Sequence, residues 1–254
     1  MRPEEVAEAA VERGLTVNTN GPVPALDLMS TVLAVSRVLR SRPTDAIGHL
    51  RMTRQRHDFG RTVFQINVSI DGRRCRVQAV GNGPAGARAI AERLDGQISR
   101  IVDGATDPWC PSPRGALAMI TEMRPIVRRK MCRMLVLTPM AAAEAMDSMD
   151  FDAFFFRDAH TGEDAIVYRA GPRDVRLARQ RRVDFPTGMC DARMAVDLTP
   201  TVVAHERVAA KRLCRNGLPF LFFVEPESAR GRLLYRRHDG NLAVLEPVRG
   251  KCFR

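Results

Sequence analysis

The chain has 254 residues and carries 40 Lys and Arg against 29 Asp and Glu, a formal net charge of +11. Its 45% hydrophobic and 27% charged content argues against a disordered chain, and no segment approaches the ~18 consecutive apolar residues that cross a bilayer. The first residues lead into an acidic stretch, so a secretory signal is not expected. The 6 cysteines show no C-x-x-C spacing, which argues against structural zinc and a dense disulfide framework and favours a reducing cytoplasm.

The positive charge comes almost entirely from arginine, because the only lysines are Lys130, Lys211 and Lys251. A guanidinium group binds phosphate through two donors and stacks on bases, so an Arg-rich basic chain favours a nucleic-acid partner. A GC-rich genome would produce the same arginine bias, but it does not explain the net excess. The net charge is +7 over residues 13–104, −4 over 136–178 and +5 over 197–254, so two basic blocks flank an acidic one.

Proline and glycine clusters divide the chain into modules. Residues 107–115 hold three prolines and a glycine, which neither a helix nor a sheet interior accommodates, and a basic cluster follows them. A second break, Phe185-Pro-Thr-Gly188, divides the remainder. The predicted domains are an N-terminal domain at 13–104, a Pro-rich and then basic linker at 105–135, a first C-terminal module at 136–183 and a second at 190–250.

Residues 13–104 show the periodicities of a mixed α and β domain. Apolar residues recur at helical spacing over Asp27–Leu39 and again over Pro84–Val102, while 46–56 and 64–70 alternate as strands do. Asp71-Gly72 is typical of a two-residue hairpin turn, and a weak strand near 14–19 begins the domain. The predicted order is β-α-β-β-β-α, an α+β fold with a four-stranded sheet and both helices on one face, followed by two small tandem α+β repeats.

The sheet face opposite the helices is predicted to be polar and basic. Alternation places on it Arg51, Thr53, Gln55, Gln65, Asn67, Arg74 and Arg76. This face lacks an aromatic residue for base stacking, since Phe64 belongs to the apolar side. Recognition of the backbone of structured RNA is therefore favoured over reading of single-stranded bases. The alternative is that these arginines only solvate an exposed sheet.

The second half of the chain contains an internal repeat. Leu137-Thr-Pro139 recurs as Leu198-Thr-Pro200 at an offset of 61, and Phe154-Phe-Phe156 recurs as Leu221-Phe-Phe223 at an offset of 67. Tyr168 and Tyr235, the only two tyrosines, also lie 67 apart. Each copy is too small to bury a generous core alone, so its apolar sheet is expected to pack on a partner surface.

These motifs resemble a known family. The run from Thr199-Pro200 through Phe220-Leu-Phe-Phe223 to Leu234-Tyr-Arg-Arg-His-Asp-Gly-Asn-Leu-Ala-Val-Leu-Glu246 resembles the C-terminal domain of long-form ribosome hibernation-promoting factors. The N-terminal element order and the Ala87–Arg100 helix are similar to their ribosome-binding domain. Two C-terminal modules in place of one make the chain similar to the dormancy- or hypoxia-associated variants of actinobacteria.

The resemblance implies a translation inhibitor induced under stress, with no enzymatic activity. It implies that the N-terminal domain docks at the decoding region of the small ribosomal subunit, contacts rRNA and ribosomal proteins, and blocks the paths of mRNA and tRNA. No cofactor, metal, membrane or small-molecule substrate is expected. The residues assigned to rRNA binding are Arg37, Arg40, Arg51, Arg54, Arg56, Arg74, Arg76, Arg88, Arg93, Arg100, Arg128, Arg129 and Lys130.

The duplication predicts that the two modules cover each other within one chain, so that single ribosomes are stored and not ribosome pairs. The residues assigned to this pairing are Phe154, Phe156, Tyr168, Phe220, Phe222 and Tyr235. The charge pattern further suggests that the acidic first copy avoids RNA while the basic second copy contacts the ribosome. The arginines assigned to that contact are Arg230, Arg232, Arg236 and Arg237.

Three other classes compete with this interpretation. An enzyme is disfavoured because the five histidines are scattered and neither G-x-S-x-G nor a P-loop is present. Cys75, at an apolar strand position, is expected to be a core residue and not a nucleophile. A DNA- or sigma-factor-associated transcriptional regulator is the main alternative, although no helix-turn-helix is visible. A signalling protein that binds a partner through its Ala-rich helices is the third.

Overall fold

The structure is a computed structural model that describes residues 14–41, 46–54, 61–102, 121–170, 174–181 and 194–248. These residues form two compact units, the first comprising 14–102 with Asp147–Asp150 and the second comprising 121–146 with 151–248. Arg56, Trp109 and the Pro-rich segment 107–115 lie outside the described residues.

The first unit has the predicted element order. Its elements are β1 (Leu15–Asn20), α1 (Ala25–Arg40), β2 (Ile47–Arg54), β3 (Thr62–Ile70), β4 (Arg73–Gly81) and α2 (Gly83–Val102). The strands form one sheet in the order β1-β2-β3-β4, with β1 parallel to β2 and the other neighbours antiparallel. Both helices pack on the same face, and the α+β class predicted from the sequence is confirmed.

Strict alternation builds the core of this unit. The even-numbered residues of β3 from Phe64 to Ile70 are buried against apolar residues of α1 and α2, among them Val35 and Ile90. Asp71 and Gly72 form the tight turn between β3 and β4, both with positive φ, and Ile70 pairs with Arg73 across it. A two-residue turn fixes the register, so the odd-numbered residues of β3 all lie on the other face.

The second unit contains both copies of the repeat. The first copy consists of β5 (Ile126–Cys132), β6 (Val136–Leu137), α3 (Pro139–Ser148), β7 (Ala153–Asp158), β8 (Asp164–Arg169) and β9 (Val175–Arg179). The second consists of β10 (Met194–Val196), β11 (Val202–Val203), α4 (Glu206–Arg215), β12 (Phe220–Glu225), β13 (Arg230–Arg236) and β14 (Leu242–Pro247).

The two copies exchange their first strands. β10 pairs with β9 in a sheet of order β10-β9-β8-β7-β6, and β5 pairs with β14 in a sheet of order β11-β12-β13-β14-β5. Both exchanged pairings are parallel. Each copy therefore completes the sheet of the other. Residues 126–132, assigned from the sequence to the linker, form the β5 strand of the first copy and lie in the sheet of the second.

The repeat offset is constant at 67, which corrects the offset of 61 assigned from the Leu-Thr-Pro motif. Val136 pairs with Arg157 in the first copy, and Val203 pairs with Val224 in the second. The helix that begins at Pro139 corresponds to the one that begins at Glu206. Leu198-Thr-Pro200 lies between β10 and β11 and is not the counterpart of Leu137-Thr-Pro139. A match of only three residues can arise by chance, whereas the same strand pairing in both copies cannot easily do so.

Candidate nucleic-acid interface

The open face of the first unit's sheet carries two rows of polar side chains across its four strands. One row is formed by the paired residues Asn18, Arg51, Gln65 and Gln78. The adjacent row is formed by Thr16, His49, Asn67 and Arg76, and Arg74 opposite Ser69 extends the face along β3 and β4. Side chains of one row lie within reach of the next, so this face presents a continuous polar and basic surface.

The cations of this face differ in how freely they can take a ligand. Arg51 and Arg74 are exposed and make no ion pair with any residue that the structure describes. Arg76 is half-buried and has a partner within the protein. His49 adds a ring nitrogen that hydrogen-bonds to the Thr16 hydroxyl. Two unpaired guanidinium groups beside amides and hydroxyls can bind phosphate oxygens and ribose 2′-hydroxyls.

The described strands supply no aromatic side chain to this surface. Phe64, the one aromatic residue in the four described strands, is 0% exposed and lies in the core. Gly86 of α2 approaches its ring so closely that a Cβ at that position would lie 2.5 Å from Phe64 Cε2. The polar and basic character of this face is as the alternation predicted; recognition of the backbone of folded RNA stays a prediction.

The helices place a second group of arginines on the opposite side of the unit. Arg37 and Arg40 are exposed in the last turn of α1, and neither pairs with an acidic residue among those described. Arg88 of α2 is exposed, with a loose contact of 3.7 Å to Glu92. Because the helices and the open sheet face are on opposite sides, the arginines chosen from sequence form two surfaces and not one.

Three arginines assigned to RNA binding are engaged inside the first unit. Arg54 projects to the helix side of β2, where its Nη1 lies 3.5 Å from Asp27 Oδ2. Arg93 Nη2 donates to Asp150 at 2.7 Å, and its side chain is only 12% exposed. Arg100 is half-buried and donates to the Gln97 side chain. The sequence showed their charge but not these partners, so the structure does not place them on an exposed basic surface.

The basic cluster before the first module is divided by the strand that contains it. Arg128 and Lys130 are exposed on β5, and Lys130 Nζ lies 5.6 Å from the centre of the Tyr235 ring. Arg129 instead donates to Glu206 and, at 2.9 Å, to Glu246. Pairing with these carboxylates, first of all the hydrogen bond to Glu206, raises the pKa of Arg129.

The arginines of the second module that were assigned to a ribosome contact are also engaged. Arg232 lies within 3.5 Å of three glutamates: Glu206, Glu225 and Glu246. Arg236 is buried and donates to the Gly240 carbonyl, and Arg237 pairs with Asp239. Arg230 donates to Asp164 of the first module at 2.7 Å. Other exposed cations of the second unit lie on α4, at Arg207, Lys211 and Arg215.

The two modules pack through one apolar cluster. Its buried members are Phe155, Ile166, Ala178, Phe222 and Leu233, and Ala153, Tyr168 and Phe220 pack against them. The ring centres of Phe155 and Phe222 are 5.9 Å apart, and those of Tyr168 and Phe220 are 5.5 Å apart. Three residues assigned from sequence to module pairing, Tyr168, Phe220 and Phe222, therefore lie at the contact.

Phe154 and Phe156 require a correction. Both side chains project to the opposite face of β7 and pack in the first module's own core, where Phe156 is 0% exposed. Phe155 takes their place, because neighbouring side chains of a strand point to opposite faces. The repeat offset of 67 maps Phe155 onto Phe222 and would have identified it. Tyr235 is half-buried on β13 beneath Lys130.

The described residues show no group of three His, Cys, Asp or Glu arranged to hold a metal ion. Cys75 is 1% exposed, and burial raises the pKa of its thiol to about 11, so it is protonated and inert at neutral pH. Within the same part of the chain, no helix is long and apolar enough to cross a membrane.

Thr16 and Asn18 on β1 were missed from the open face of the first unit's sheet, although alternation through the weak first strand would have included them.

Comparison with known proteins decides the family. The profile of the Sigma 54 modulation/S30EA ribosomal protein C terminus matches residues 121–177, a range that contains β5. The dormancy associated translation inhibitor of Mycobacterium tuberculosis, from strains H37Rv and CDC 1551, is 40% identical over 233 residues, covering 85% of this chain and 81% of the relative. The chain belongs to this family. The predicted membership among the hibernation factors is thereby confirmed, and these are translation inhibitors and not enzymes.

A solved structure is also similar to part of the chain. The Thermus thermophilus Protein Y N-terminal domain aligns with 34% of this chain and 97% of its own, at a TM-score of 0.29 and 14% sequence identity.

Proposed function

We propose that this protein inhibits translation in the cytoplasm under stress by binding the small ribosomal subunit. In this proposal the first unit occupies the decoding region, contacts the rRNA backbone and ribosomal proteins, and blocks the sites of mRNA and tRNA, which stabilises inactive ribosomes. The observation that supports it most directly is the open sheet face, where Arg51 and Arg74 are exposed among amides and hydroxyls and form no ion pair with a described residue. The mycobacterial relative's name, a translation inhibitor, agrees with it.

The distribution of arginines over both sides of the first unit supports a binding site in a cleft. Arg51 and Arg74 lie on the sheet side, whereas Arg37 and Arg40 lie on the helix side. A domain that rests on one RNA surface uses one of these groups only. A domain inserted between two RNA surfaces uses both, and such a position is also the one that obstructs a passage most effectively.

The experiment is co-sedimentation with isolated small and large ribosomal subunits, together with inhibition of translation in a cell-free system. We expect binding to the small subunit, and we expect Arg51→Gln with Arg74→Gln to weaken it about 30- to 100-fold, since two charge-assisted contacts are lost. Arg207→Gln with Lys211→Gln removes the same charge from α4 and is the matched control. Equal losses in both variants, or binding to the large subunit alone, would contradict the proposal.

We further propose that the chain stores single ribosomes. The two modules already cover each other's apolar faces, through Phe155 and Phe222, and exchange the strands β5 and β10 within one chain. These contacts cover Phe155, Phe222 and their buried neighbours, so this apolar surface is not open to a second protein molecule. In a sucrose gradient of ribosomes with the protein we expect a single-ribosome peak, and a protein-dependent peak of paired ribosomes would contradict this part of the proposal.

A further inference from the structure

The contact between the modules is built around a pseudo-two-fold axis. Phe155 pairs with Ile166 in the first sheet and Phe222 pairs with Leu233 in the second, so equivalent residues differ by 67. A two-fold axis brings equivalent residues together. Two equivalent pairs do meet here, Phe155 with Phe222 and Asp164 with Gly231.

The first of these pairs is symmetric and the second is not. Asp164 is 2% exposed, and its Oδ2 accepts hydrogen bonds from the Gly231 amide at 2.9 Å and from Arg230 Nε at 2.7 Å. Its Oδ1 accepts from Arg230 Nη2 at 3.0 Å. A Cβ at position 231 would lie 2.8 Å from Asp164 Cβ and 2.8 Å from Phe222 Cε2, so only glycine fits opposite this aspartate.

The neighbouring position repeats the asymmetry in charge. Arg230 of the second module corresponds to Glu163 of the first, so the dipeptide Glu163-Asp164 stands opposite Arg230-Gly231. Two first modules paired in the same geometry would bring two buried Asp164 carboxylates together, with glutamate where the arginine is needed. Two second modules would bring two Arg230 guanidinium groups to the axis with no carboxylate between them. Both self-pairings therefore leave like charges facing each other without partners.

Side-chain size also differs between the modules at two positions of the contact. Ala153 of the first module corresponds to Phe220 of the second, and Ala178 corresponds to Leu245. The smaller side chain is on the first module in both cases, and Phe220 packs edge-on against Tyr168 of the first module. If two second modules paired, the larger residues would meet at both positions and would crowd the contact. If two first modules paired, only alanines would meet there, and space would be left between the sheets.

We propose that Asp164, Arg230 and Gly231 specify pairing of a first module with a second module and reject self-pairing of either. The partner that fits each apolar face is the other copy in the same chain, where the covalent connection also gives it a high effective concentration. The inference concerns the free protein and does not rest on ribosome binding. It implies that duplication was followed by divergence of the axis residues into a complementary pair.

The test is a reciprocal exchange in the full chain. Glu163→Arg with Asp164→Gly gives both modules the Arg-Gly dipeptide, and Arg230→Glu with Gly231→Asp gives both the Glu-Asp dipeptide. Each double variant should lower the thermal midpoint of the second unit by about 6–12 °C. The fourfold variant restores one acidic and one basic partner in reversed positions, and we expect it to recover at least half of that loss. Gly231→Ala measures the steric part alone.

Sedimentation velocity on the same proteins supplies a second measurement. We expect the wild-type chain to sediment as one molecule across the micromolar range. A fourfold variant as unstable as either double variant would overturn the proposal, because loss without recovery means that the residues only support the local structure. The proposal would also be overturned if the wild-type protein formed a two-chain complex and the variant Arg230→Glu with Gly231→Asp did not form it.

Discussion

The open sheet of the first unit and the interior of the second unit use arginine in different ways. On the first unit's sheet, Arg51 and Arg74 are exposed and make no ion pair with any described residue. In the second unit, Arg179 is buried with Asp158 at 2.7 Å, and Arg232 is surrounded by three glutamates. The net charge of +7 over residues 13–104 therefore includes exposed guanidinium groups on the open sheet, whereas these two arginines of the second unit stabilise it from within.

The largest effect is expected where an ion pair of the second unit is fully buried. Asp158 accepts from Arg179 Nε at 2.7 Å and from the His160 amide at 2.9 Å, and both charged side chains are at most 1% exposed. Asp158→Ala removes the carboxylate to which this buried guanidinium donates and should cost about 3–5 kcal/mol in the free energy of unfolding of this unit. Denaturant titration measures it, with Arg88→Gln in the exposed pair of α2 as a control expected to change stability by less than about 0.5 kcal/mol. A loss below about 1 kcal/mol for Asp158→Ala would contradict the assigned role.

The next effect concerns the apolar contact between the modules. Phe155 is 8% exposed against Phe222, so Phe155→Ala should lower the free energy of unfolding of the second unit by about 3 kcal/mol. Leu198→Ala, at a position 66% exposed, is the control and should have little effect. If the two substitutions were equally mild, the modules would not depend on each other for stability.

A smaller effect separates the two uses of arginine in binding. The logarithm of the ribosome affinity should fall linearly with the logarithm of the salt concentration. Each lost phosphate contact should reduce the magnitude of that slope by about 1, so Arg51→Gln with Arg74→Gln should reduce it by about 2. Arg207→Gln with Lys211→Gln in the second unit should leave it nearly unchanged. Fluorescence titration at several salt concentrations measures both, and a reduction shared by the two variants would remove the distinction between the units.

The smallest effect is a loss of stability of the second unit at alkaline pH. Burial, and then the neighbouring Asp197 carboxylate, raises the pKa of Tyr168 from 10 to about 12. The protonated hydroxyl donates to Asp197 at 3.0 Å. The stabilisation should be complete below pH 10 and decline as the pH rises towards 12, and Tyr168→Phe should remove this decline at a cost of about 1 kcal/mol near neutral pH. Unfolding followed by circular dichroism from pH 8 to 12 tests it; a decline of equal size in Tyr168→Phe would contradict it.

The sequence predicts the fold of the first unit well because patterns among neighbouring residues determine its helices, strands and turn. Alternation in β3, the Asp71-Gly72 turn and the helical spacing of α1 each depend on neighbouring residues. The exchanged strands were not predicted, since β5 is a short basic segment whose partner β14 lies more than 100 residues further along the chain. Nothing in the local pattern of Arg128-Arg-Lys130 distinguishes a strand from a basic linker.

The candidate site is predicted in part for the same reason. Arg51, Arg74 and Arg76 share a face because a strand alternates, and this follows from the sequence. The engagement of Arg54 with Asp27 and of Arg129 with Glu206 and Glu246 depends on tertiary contacts. Charge counted along the chain reports how many arginines are present but not how many are neutralised.

Binding of the first unit at the decoding region is tested most directly by chemical footprinting of the small-subunit rRNA with and without the protein. We expect protection of backbone positions on both sides of the decoding region, and loss of protection on one side in Arg51→Gln with Arg74→Gln. Protection confined to other parts of the subunit, or a footprint that the variant leaves unchanged, would contradict it.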